Sequence, residues 1–294
     1  MICVTGAGGT VSSELIKQLE SAKAPFRAAH FSNEKAEAAR ARGVDAVIID
    51  YNRPETLGAA CQGCDRLFLL GPPVLNQIQF ELKAIEAAQA AGVRHIVKQS
   101  VMGAAEEAYS LAKVHRPVEK AIESSGLAWT FLRPNSFMQN AVTYMGETIK
   151  TEAAFFSASG EAKISHVDVR DIAAVAVQAL TEANHEGQAY TLTGPEALTY
   201  DEFAAELSTV LGRPISHVNL PPSDLKQGML AEGMPEELAD RMLDLERYFH
   251  EDRASRITND IKQVTGQNPR RFAQYVREAA ATGVWDGEAE HVST

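Results

Sequence analysis

The first chemistry that the residue types indicate is phosphate binding at a glycine turn. The chain opens MICVTGAGGTVS, in which a short apolar run leads directly into a cluster of glycines. An amphipathic segment at 13–21 follows, with Leu15, Ile16 and Leu19 on one face. A tight glycine turn lets backbone N–H groups approach a pyrophosphate, and the N-terminus of the next helix adds a partial positive charge. The pattern is typical of a dinucleotide-binding strand–turn–helix unit.

The glycine spacing can be aligned in two ways. The pattern G-x-G-x-x-G uses Gly6 and Gly8 but ends on Val11. The pattern G-x-x-G-x-x-G uses Gly6 and Gly9 and ends on Ser12, whose side chain is smaller than valine and allows closer packing of helix on strand. We favour the second alignment; the alternative is a glycine turn that binds nothing. The turn residues expected to contact the cofactor are Gly6, Gly8, Gly9, Thr10 and Val11.

Charge and composition narrow the class of partner. Among 294 residues, 39 are acidic and 28 are basic, which gives a formal net charge of −11, and 45% are hydrophobic. This balance is typical of an ordinary globular protein and disfavours nucleic acid or an anionic membrane surface as the partner. No apolar run approaches the ~20 residues that span a bilayer, and the opening segment lacks the features of a signal peptide. We therefore expect a cytoplasmic protein without a membrane partner.

Two thiols have a spacing seen in redox and metal sites. Cys61 and Cys64 form C-Q-G-C just before an apolar run, whereas Cys3 lies in the opening strand. A zinc site needs more ligands than one such pair supplies, and the metalloprotease pattern H-E-x-x-H is absent. We expect a loop at a helix end that holds two thiols, and no metal.

The first half of the chain alternates between strand and helix patterns. After the opening strand, apolar strands are expected at 26–31, 46–49, 67–70, 95–98 and 129–132. Helical patterns are expected at 34–41, 77–91 and 118–124, and Gly92 is placed to end the second of them. This alternation with short connections predicts an α/β fold, a Rossmann-like doubly wound parallel sheet with a smaller C-terminal substrate-binding lobe.

The pattern changes in the second half. Asp171 is placed to cap a buried helix, and Thr199 with Glu202 forms the capping-box pattern of another. The segment 223–265 is helical and strongly charged. We expect an NAD(P)-binding Rossmann domain at 1–150, a substrate-binding part at 151–285 with strands that return to the main sheet, and a flexible tail at 286–294. The smaller part is expected to close over the crevice where ligands of open α/β sheets bind.

Seven segments, in order along the chain, carry a family resemblance. They are VTGAGGTVS, VIIDY (47–51), LFLLGPP (67–73), HIVKQSVMGA (95–104), SGLAWTFLRPNSFMQN (125–140), VDVRDIA (167–173) and DIKQVTGQNPRRF (260–272). Together they resemble an atypical short-chain dehydrogenase/reductase of the NmrA-like group over roughly 1–285. That group contains bacterial quinone and dye reductases as well as regulator-like members without clear catalysis.

The resemblance implies a set of cofactor and substrate contacts. The implied cofactor contacts beyond the glycine turn are Phe31, Ser32, Lys35, Asp50, Tyr51, Leu70, Gly71, Pro72, Ser100, Pro134 and Asn135. The implied substrate contacts are Met102, Phe137 and Met138. For Ser100 and Phe137 the alternatives are a turn cap and plain core packing.

The residues at the end of the second strand bear on the choice between NADP(H) and NAD(H). Many members of the group carry Arg at the place of Phe31, where it meets the 2′-phosphate of NADP, and an acidic residue would have favoured NAD. This chain has neither, although Ser32, Asn33 and Lys35 can hold a phosphate and Phe31 can stack on adenine. These residues slightly favour NADP(H) over NAD(H).

Two alternatives exist for the catalytic residues. Tyr109 and Lys113 have the Tyr-x-x-x-Lys spacing of short-chain dehydrogenases, in which the lysine lowers the tyrosine pKa. The group's H-x-x-x-E block instead aligns with His115 and Glu119, which puts His115 at the lysine place and Leu111 at the tyrosine place. In the resembled group such a histidine faces the nicotinamide, where it can orient the ribose or carry a proton.

The resemblance implies an NAD(P)H-dependent reductase of a small apolar or aromatic acceptor. Quinones, azo or triarylmethane dyes and carbonyl compounds accept hydride with little acid–base help, so a missing tyrosine is not fatal. The alternative is an NADP(H) redox sensor that acts through a protein partner without turnover. An isomerase or dehydratase is a third interpretation. A homodimer is compatible with the amphipathic helices.

Overall fold

The computed structural model of the protein describes residues 1–286. In this part of the chain the strands are β1 (Ile2–Val4), β2 (Phe26–His30), β3 (Ala46–Ile48), β4 (Arg66–Leu69), β5 (His95–Gln99), β6 (Ala128–Pro134), β7 (Ala154–Ser157), β8 (Gln188–Leu192) and β9 (Ser216–Asn219). Seven of them form one parallel sheet in the order β3-β2-β1-β4-β5-β6-β8. The order reverses between β1 and β4, which is the switch point where ligands of such sheets bind. The predicted Rossmann-like α/β fold is confirmed.

Helices connect the strands. They are α1 (Thr10–Ser21), α2 (Asn33–Ala41), α3 (Pro54–Cys61), α4 (Gln77–Ala90), α5 (Ser110–Ser124), α6 (Asn140–Thr143), α7 (Gly146–Thr151), α8 (Val169–Thr181), α9 (Tyr200–Leu211), α10 (Pro222–Ala231), α11 (Glu236–His250), α12 (Asp260–Thr265) and α13 (Phe272–Ala280). The central strands are buried on both faces, as parallel sheets require, and β5 has no half-exposed residue. No helix of the described chain is long and apolar enough to cross a membrane.

Helix α5 begins eight residues earlier than the sequence pattern predicts. The sequence pattern placed this helix at 118–124. The structure carries the helix through Pro117 from Ser110 onward. A buried face that includes Ala112, Val118 and Ile122 holds the helix against the loss of one backbone hydrogen bond. The earlier start places His115 inside the helix.

The chain forms two compact units that are interleaved in sequence. Unit 1 contains 1–134, 169–192 and 259–267, and it holds the seven-stranded sheet. The expected division at residue 150 does not coincide with this boundary, because the chain leaves unit 1 after Pro134 and returns to it twice. Within unit 1, α8 packs against α1, and β8 pairs with β6 at the sheet edge.

Unit 2 contains 135–168, 193–258 and the described residues from 268 onward. Its two strands, β7 and β9, pair in parallel. The predicted capping box of α9 is confirmed, because Glu202 N–H donates to Thr199 Oγ1 (3.1 Å) and Thr199 N–H donates to Glu202 Oε2 (2.9 Å). The predicted tail at 286–294 lies, apart from Asp286, outside the described residues.

Two local predictions need correction. Asp171 lies within the first turn of α8 and does not precede the helix, so it is not the N-cap residue. The charged segment at 223–265 is not continuously helical, because α11 ends at His250 and α12 begins at Asp260. The two thiols do lie at a helix end as expected, with Cys61 closing α3 and Cys64 buried just before β4.

Candidate functional site

The glycine turn of unit 1 has the geometry that close approach to a ligand needs. Gly6 adopts φ +62°, and a Cβ there would lie 3.0 Å from the carbonyl oxygen of Leu70. Only glycine tolerates both conditions without strain. Ser12 is buried, and its Oγ donates to the carbonyl oxygen of Thr5 at 3.0 Å. The small side chain at Ser12 therefore ties the helix to the strand, in agreement with the second glycine alignment.

The N-terminus of α1 is open to an anion. Gly9 is the N-cap residue, no side chain of the described chain caps this end, and the first turn carries no acidic residue. Its unpaired N–H groups and the helix dipole therefore favour a bound phosphate. Lys35 adds positive charge, because its Nζ lies 3.4 Å from the carbonyl oxygen of Gly8. A Cβ at Gly8 would lie 2.8 Å from Cδ of Lys35, so the lysine chain lies directly over the turn.

Aromatic rings line the side of unit 1 beyond β2 and β3. Phe31 is 60% exposed, and its ring centroid lies 6.2 Å from that of buried Tyr51 at an interplanar angle of 25°. The Phe80 ring also stacks with Tyr51, with a centroid distance of 5.1 Å. Ser32 caps α2 and accepts a hydrogen bond from Lys35 N–H. An exposed Phe31 ring beside this cap is available for stacking on a planar base.

The loop after β4 is fixed by a buried carboxylate. Gly71 N–H donates to Glu81 Oε1 at 2.7 Å, and a Cβ at Gly71 would lie 2.7 Å from Cγ of Glu81. Leu70 N–H donates to Thr5 Oγ1, so the loop is tied to the end of β1 as well. Pro72 follows directly. This loop and the end of β1 flank the switch point of the sheet.

Two buried oxygen atoms near this loop have no hydrogen-bond partner in the described chain. They are Oε2 of Glu81 and Oε1 of Gln99, which closes β5. Buried polar atoms without partners are rare in folded proteins. Both can accept hydrogen bonds from hydroxyl or amide groups of a ligand. The open helix end, the bare glycine turn and these acceptors fit a dinucleotide such as NAD(P)H.

A buried charged cluster lies behind the end of β5. Lys98 Nζ contacts Glu81 Oε1 at 3.1 Å and His115 Nδ1 at 3.2 Å, and it also donates to the carbonyl oxygen of Gln99. The side chains of Lys98 and Glu81 are both 0% exposed. Sequence reasoning missed both residues, although a lysine within the otherwise buried strand HIVKQ was a usable signal. Burial and the nearby Lys98 charge hold the pKa of His115 well below its ordinary value.

The second residue of the H-x-x-x-E block has a different partner. Glu119 is fully buried and pairs with Arg133 of β6 and with Arg116. Burial raises the pKa of Glu119, but the hydrogen bonds from Arg133 and its charge outweigh burial and hold the pKa below its ordinary value. This ion pair links the H-x-x-x-E block to the L-R-P segment.

The structure separates the environments of Tyr109 and Lys113. Tyr109 is buried and is the N-cap residue of α5, whereas Lys113 is exposed. Leu111 is half-buried between them, and His115 is buried one turn after it. Lys113 N–H donates to the carbonyl oxygen of Tyr109 at 3.0 Å. The catalytic role of Tyr109 and Lys113 stays a prediction.

The remaining predicted contacts of unit 1 lie in its loops. Asp50 Oδ1 accepts a hydrogen bond from Asn52 N–H at 2.8 Å. Ser100 N–H donates to the carbonyl oxygen of Leu132. Met102 is buried, and its N–H donates to the carbonyl oxygen of Pro134 at 2.9 Å. These bonds hold the loop after β5 beside the end of β6.

Three predicted contacts belong to unit 2. Asn135 donates to Ser165 Oγ and to the carbonyl oxygen of Ala254, both at 2.8 Å. Its side-chain oxygen accepts from Ser136 N–H, so these bonds hold the Asn135 amide within unit 2. Met138 is buried, and Phe137 is half-buried. Their contacts with cofactor or substrate stay predictions.

Strand order, glycine turn and open helix end define a Rossmann-like α/β protein. Residues 1–276 match the NmrA-like family, and the chain belongs to that family. It is 41% identical to the NAD(P)H azoreductase of Xenophilus azovorans over 282 residues, which cover 96% of this chain and 98% of the relative. The resemblance predicted from the motifs is confirmed.

Two solved structures cover nearly the whole chain. The NADPH-dependent quinone oxidoreductase of Escherichia coli, complexed with NADPH, superposes with a TM-score of 0.87 at 28% identity and covers 95% of this chain and 100% of that chain. The triphenylmethane reductase of Citrobacter sp., complexed with NADP(H), superposes with a TM-score of 0.86 at 28% identity and the same coverage.

Proposed function

We propose that this protein is an NAD(P)H-dependent oxidoreductase that transfers hydride to a small apolar or aromatic acceptor. Quinones, azo dyes, triarylmethane dyes and carbonyl compounds are the proposed acceptor classes. The observation that carries the proposal is the full-length similarity to an azoreductase, together with a glycine turn and an open helix N-terminus that fit a dinucleotide. The sensor alternative is not favoured, because the relatives reported above are named as reductases.

In this proposal the residues of unit 1 bind and orient the cofactor. The N–H groups at the start of α1 hold the pyrophosphate, and Gly6 and Gly8 leave room for it. Phe31 stacks on the adenine, and the loop at Gly71 borders the ribose. A bound reduced nicotinamide supplies the hydride. The chain contributes positioning and exclusion of water, so an acceptor needs only to reach the nicotinamide in the right orientation.

The proposed cofactor is NADP(H) in preference to NAD(H). Lys35 and the cap residue Ser32 supply a cation and a hydroxyl beside the glycine turn, where a 2′-phosphate needs both. No acidic residue follows β2 at positions 31–33 to bind the free ribose hydroxyls of NAD. The cytoplasmic location and the homodimer stay predictions of the sequence.

A titration followed by a turnover assay tests the proposal. The purified protein is titrated with NADPH and with NADH, and then a quinone, an azo dye and a triarylmethane dye are added while the absorbance of the reduced nicotinamide is followed. Tight binding and loss of absorbance only when an acceptor is present are expected. Tight binding without turnover on any acceptor would favour the sensor instead. Absence of binding would contradict both.

A further inference from the structure

Three hydrogen-bond acceptors surround the Lys98 ammonium group, one for each of its three protons. Its three N–H bonds meet Glu81 Oε1, the carbonyl oxygen of Gln99 and His115 Nδ1. An ammonium group has three donors and no acceptor capacity. Lys98 is fully buried beside the Glu81 carboxylate, which stabilises the charged form. Lys98 must therefore donate to His115, and Nδ1 must accept.

This bond decides which nitrogen of His115 carries the proton. A neutral imidazole has one donor and one acceptor, so a ring that accepts at Nδ1 carries its proton at Nε2. A second proton is disfavoured, because the ring is buried and the Lys98 charge is 3.2 Å away. His115 is therefore a neutral ring with an Nε2–H donor, and it is neither a base at Nδ1 nor an imidazolium acid.

The Nε2–H donor is left for a ligand. The ring bonds Lys98 through Nδ1, and Nε2 has no hydrogen-bond partner among residues 1–286. His115 is buried, with 7% of its surface exposed. The ring is anchored at the carboxyl end of β5, the edge of the sheet where ligands of this fold bind. The same cluster contains Glu81, which fixes the cofactor loop at Gly71. One carboxylate thus positions both the loop and, through Lys98, the ring.

We infer that Lys98 holds His115 in the Nε2–H tautomer so that the ring donates a hydrogen bond to the acceptor atom that gains negative charge during hydride transfer. The inference rests on the proposed reductase function. For a quinone, the hydride brings two electrons and one proton, and the negative charge appears on an oxygen. For an azo compound it appears on the second nitrogen. The donor stabilises this charge, and water supplies the proton that completes the product. His115 then keeps its own proton, and Lys98 acts as a positioning residue.

Acceptor chemistry gives the inference a selective test. A triarylmethane dye is a cation whose central carbon takes the hydride, so its positive charge disappears and no negative charge develops. A donor at Nε2 contributes nothing to that reaction. The variants are His115→Leu, which lacks a donor, and His115→Gln, whose side-chain amide keeps one at a similar reach.

We expect His115→Leu to lower kcat for a quinone about 100-fold, and to change kcat for a cationic triarylmethane dye less than about threefold. His115→Gln should restore most of the quinone activity. Equal losses with both acceptors at unchanged cofactor affinity would assign the ring a structural role and overturn the inference. Equal quinone activity in the two variants would overturn it as well.

Nitrogen NMR tests the tautomer without any turnover. In protein labelled with ¹⁵N-histidine, the His115 ring, assigned by its absence in His115→Leu, should show a protonated Nε2 and an unprotonated Nδ1 near neutral pH. A protonated Nδ1 would overturn the inference. If the wild-type protein binds NADPH but reduces no acceptor, the proposed function fails and the acceptor contact fails with it, while the nitrogen spectrum still decides the tautomer.

Discussion

Glu119 of α5 accepts hydrogen bonds from two nitrogens of Arg133 of β6, Nε at 2.9 Å and Nη2 at 2.8 Å. The carboxylate is fully buried and also receives Arg116 at 2.9 Å. A two-point contact of this kind fixes both distance and orientation. It joins the helix that carries His115 to the strand that ends at Pro134.

Loss of this carboxylate should be costly. Glu119→Ala leaves two guanidinium groups without their buried partner, and we expect the free energy of unfolding in urea to fall by about 3 kcal/mol. Glu123→Ala is the matched control, because Glu123 also pairs with Arg116 but is 33% exposed, and it should cost less than about 1 kcal/mol. Similar losses in the two variants would contradict a special role for the Arg133 contact.

Cofactor choice should depend on Lys35. Lys35→Ala removes the cation that lies over Gly8, and we expect the Kd for NADPH to rise about tenfold, as for loss of one charged hydrogen bond. The Kd for NADH should change less than about twofold, because NADH lacks the 2′-phosphate. Lys17→Ala, on the exposed side of α1, is the control and should change neither affinity. Equal losses for both cofactors would place Lys35 at the pyrophosphate instead.

Two glycine substitutions should have opposite effects. Gly71→Ala would put a Cβ 2.7 Å from Cγ of Glu81, so the loop or the carboxylate must move, and we expect weaker NADPH binding and a lower melting temperature. Gly58→Ala lies within α3, and nothing is within 4 Å of its new Cβ. It should raise the free energy of unfolding by about 0.5 kcal/mol through helix propensity. Unchanged cofactor affinity in Gly71→Ala would contradict the role of this loop.

The contribution of Glu246 to the stability of the protein should fall with rising pH. Burial raises the pKa of this carboxyl to about 7, against the hydrogen bonds from Ala158 N–H and Ser159. The folded state therefore binds the proton more tightly than the unfolded chain does. This contribution is complete below the unfolded-state pKa and is lost as pH rises through about 7.

The buried rings of His95, His115 and His166 act in the opposite direction, because their lowered pKa values make the folded state more stable as pH rises. We therefore expect the free energy of unfolding of the wild type, taken relative to that of Glu246→Gln, to fall by about 2 kcal/mol between about pH 5 and about pH 8. Glu237→Gln, at an exposed position of the same helix, should behave as the wild type. Urea unfolding at the two pH values measures the difference. The same pH dependence in the wild type and in Glu246→Gln would contradict the assignment.

The sheet was predictable because its strands are continuous apolar runs between turn signals. Five strands after β1 were placed within two residues of their observed ends. The start of α5 was wrong, because the pattern at 118–124 was not extended across Pro117, whereas the buried face continues on both sides of that residue. Packing of this buried face stabilises the longer helix, and local sequence rules do not include tertiary packing.

The candidate site was predictable only in part. The glycine turn and His115 were each predicted from a short pattern, whose residues lie close together in the sequence. Lys98 and Glu81 are 17 residues apart and meet only because β5 and α4 pack together, so no spacing rule links them. The charge of Lys98 in a buried strand was the one available signal, and its partner Glu81 could be identified only from the folded structure.

The return of the chain to unit 1 has a consequence for synthesis on the ribosome. Strand β8 pairs with the outer side of β6, which has no other neighbour there. Helix α8 packs on α1, which lies far earlier in the sequence. A nascent chain that ends near residue 150 therefore carries an unpaired sheet edge. Completion of the nucleotide-binding unit must wait until 259–267 has been made. We therefore expect a fragment cut after the first half to expose this edge and aggregate, and not to act as a smaller cofactor-binding protein.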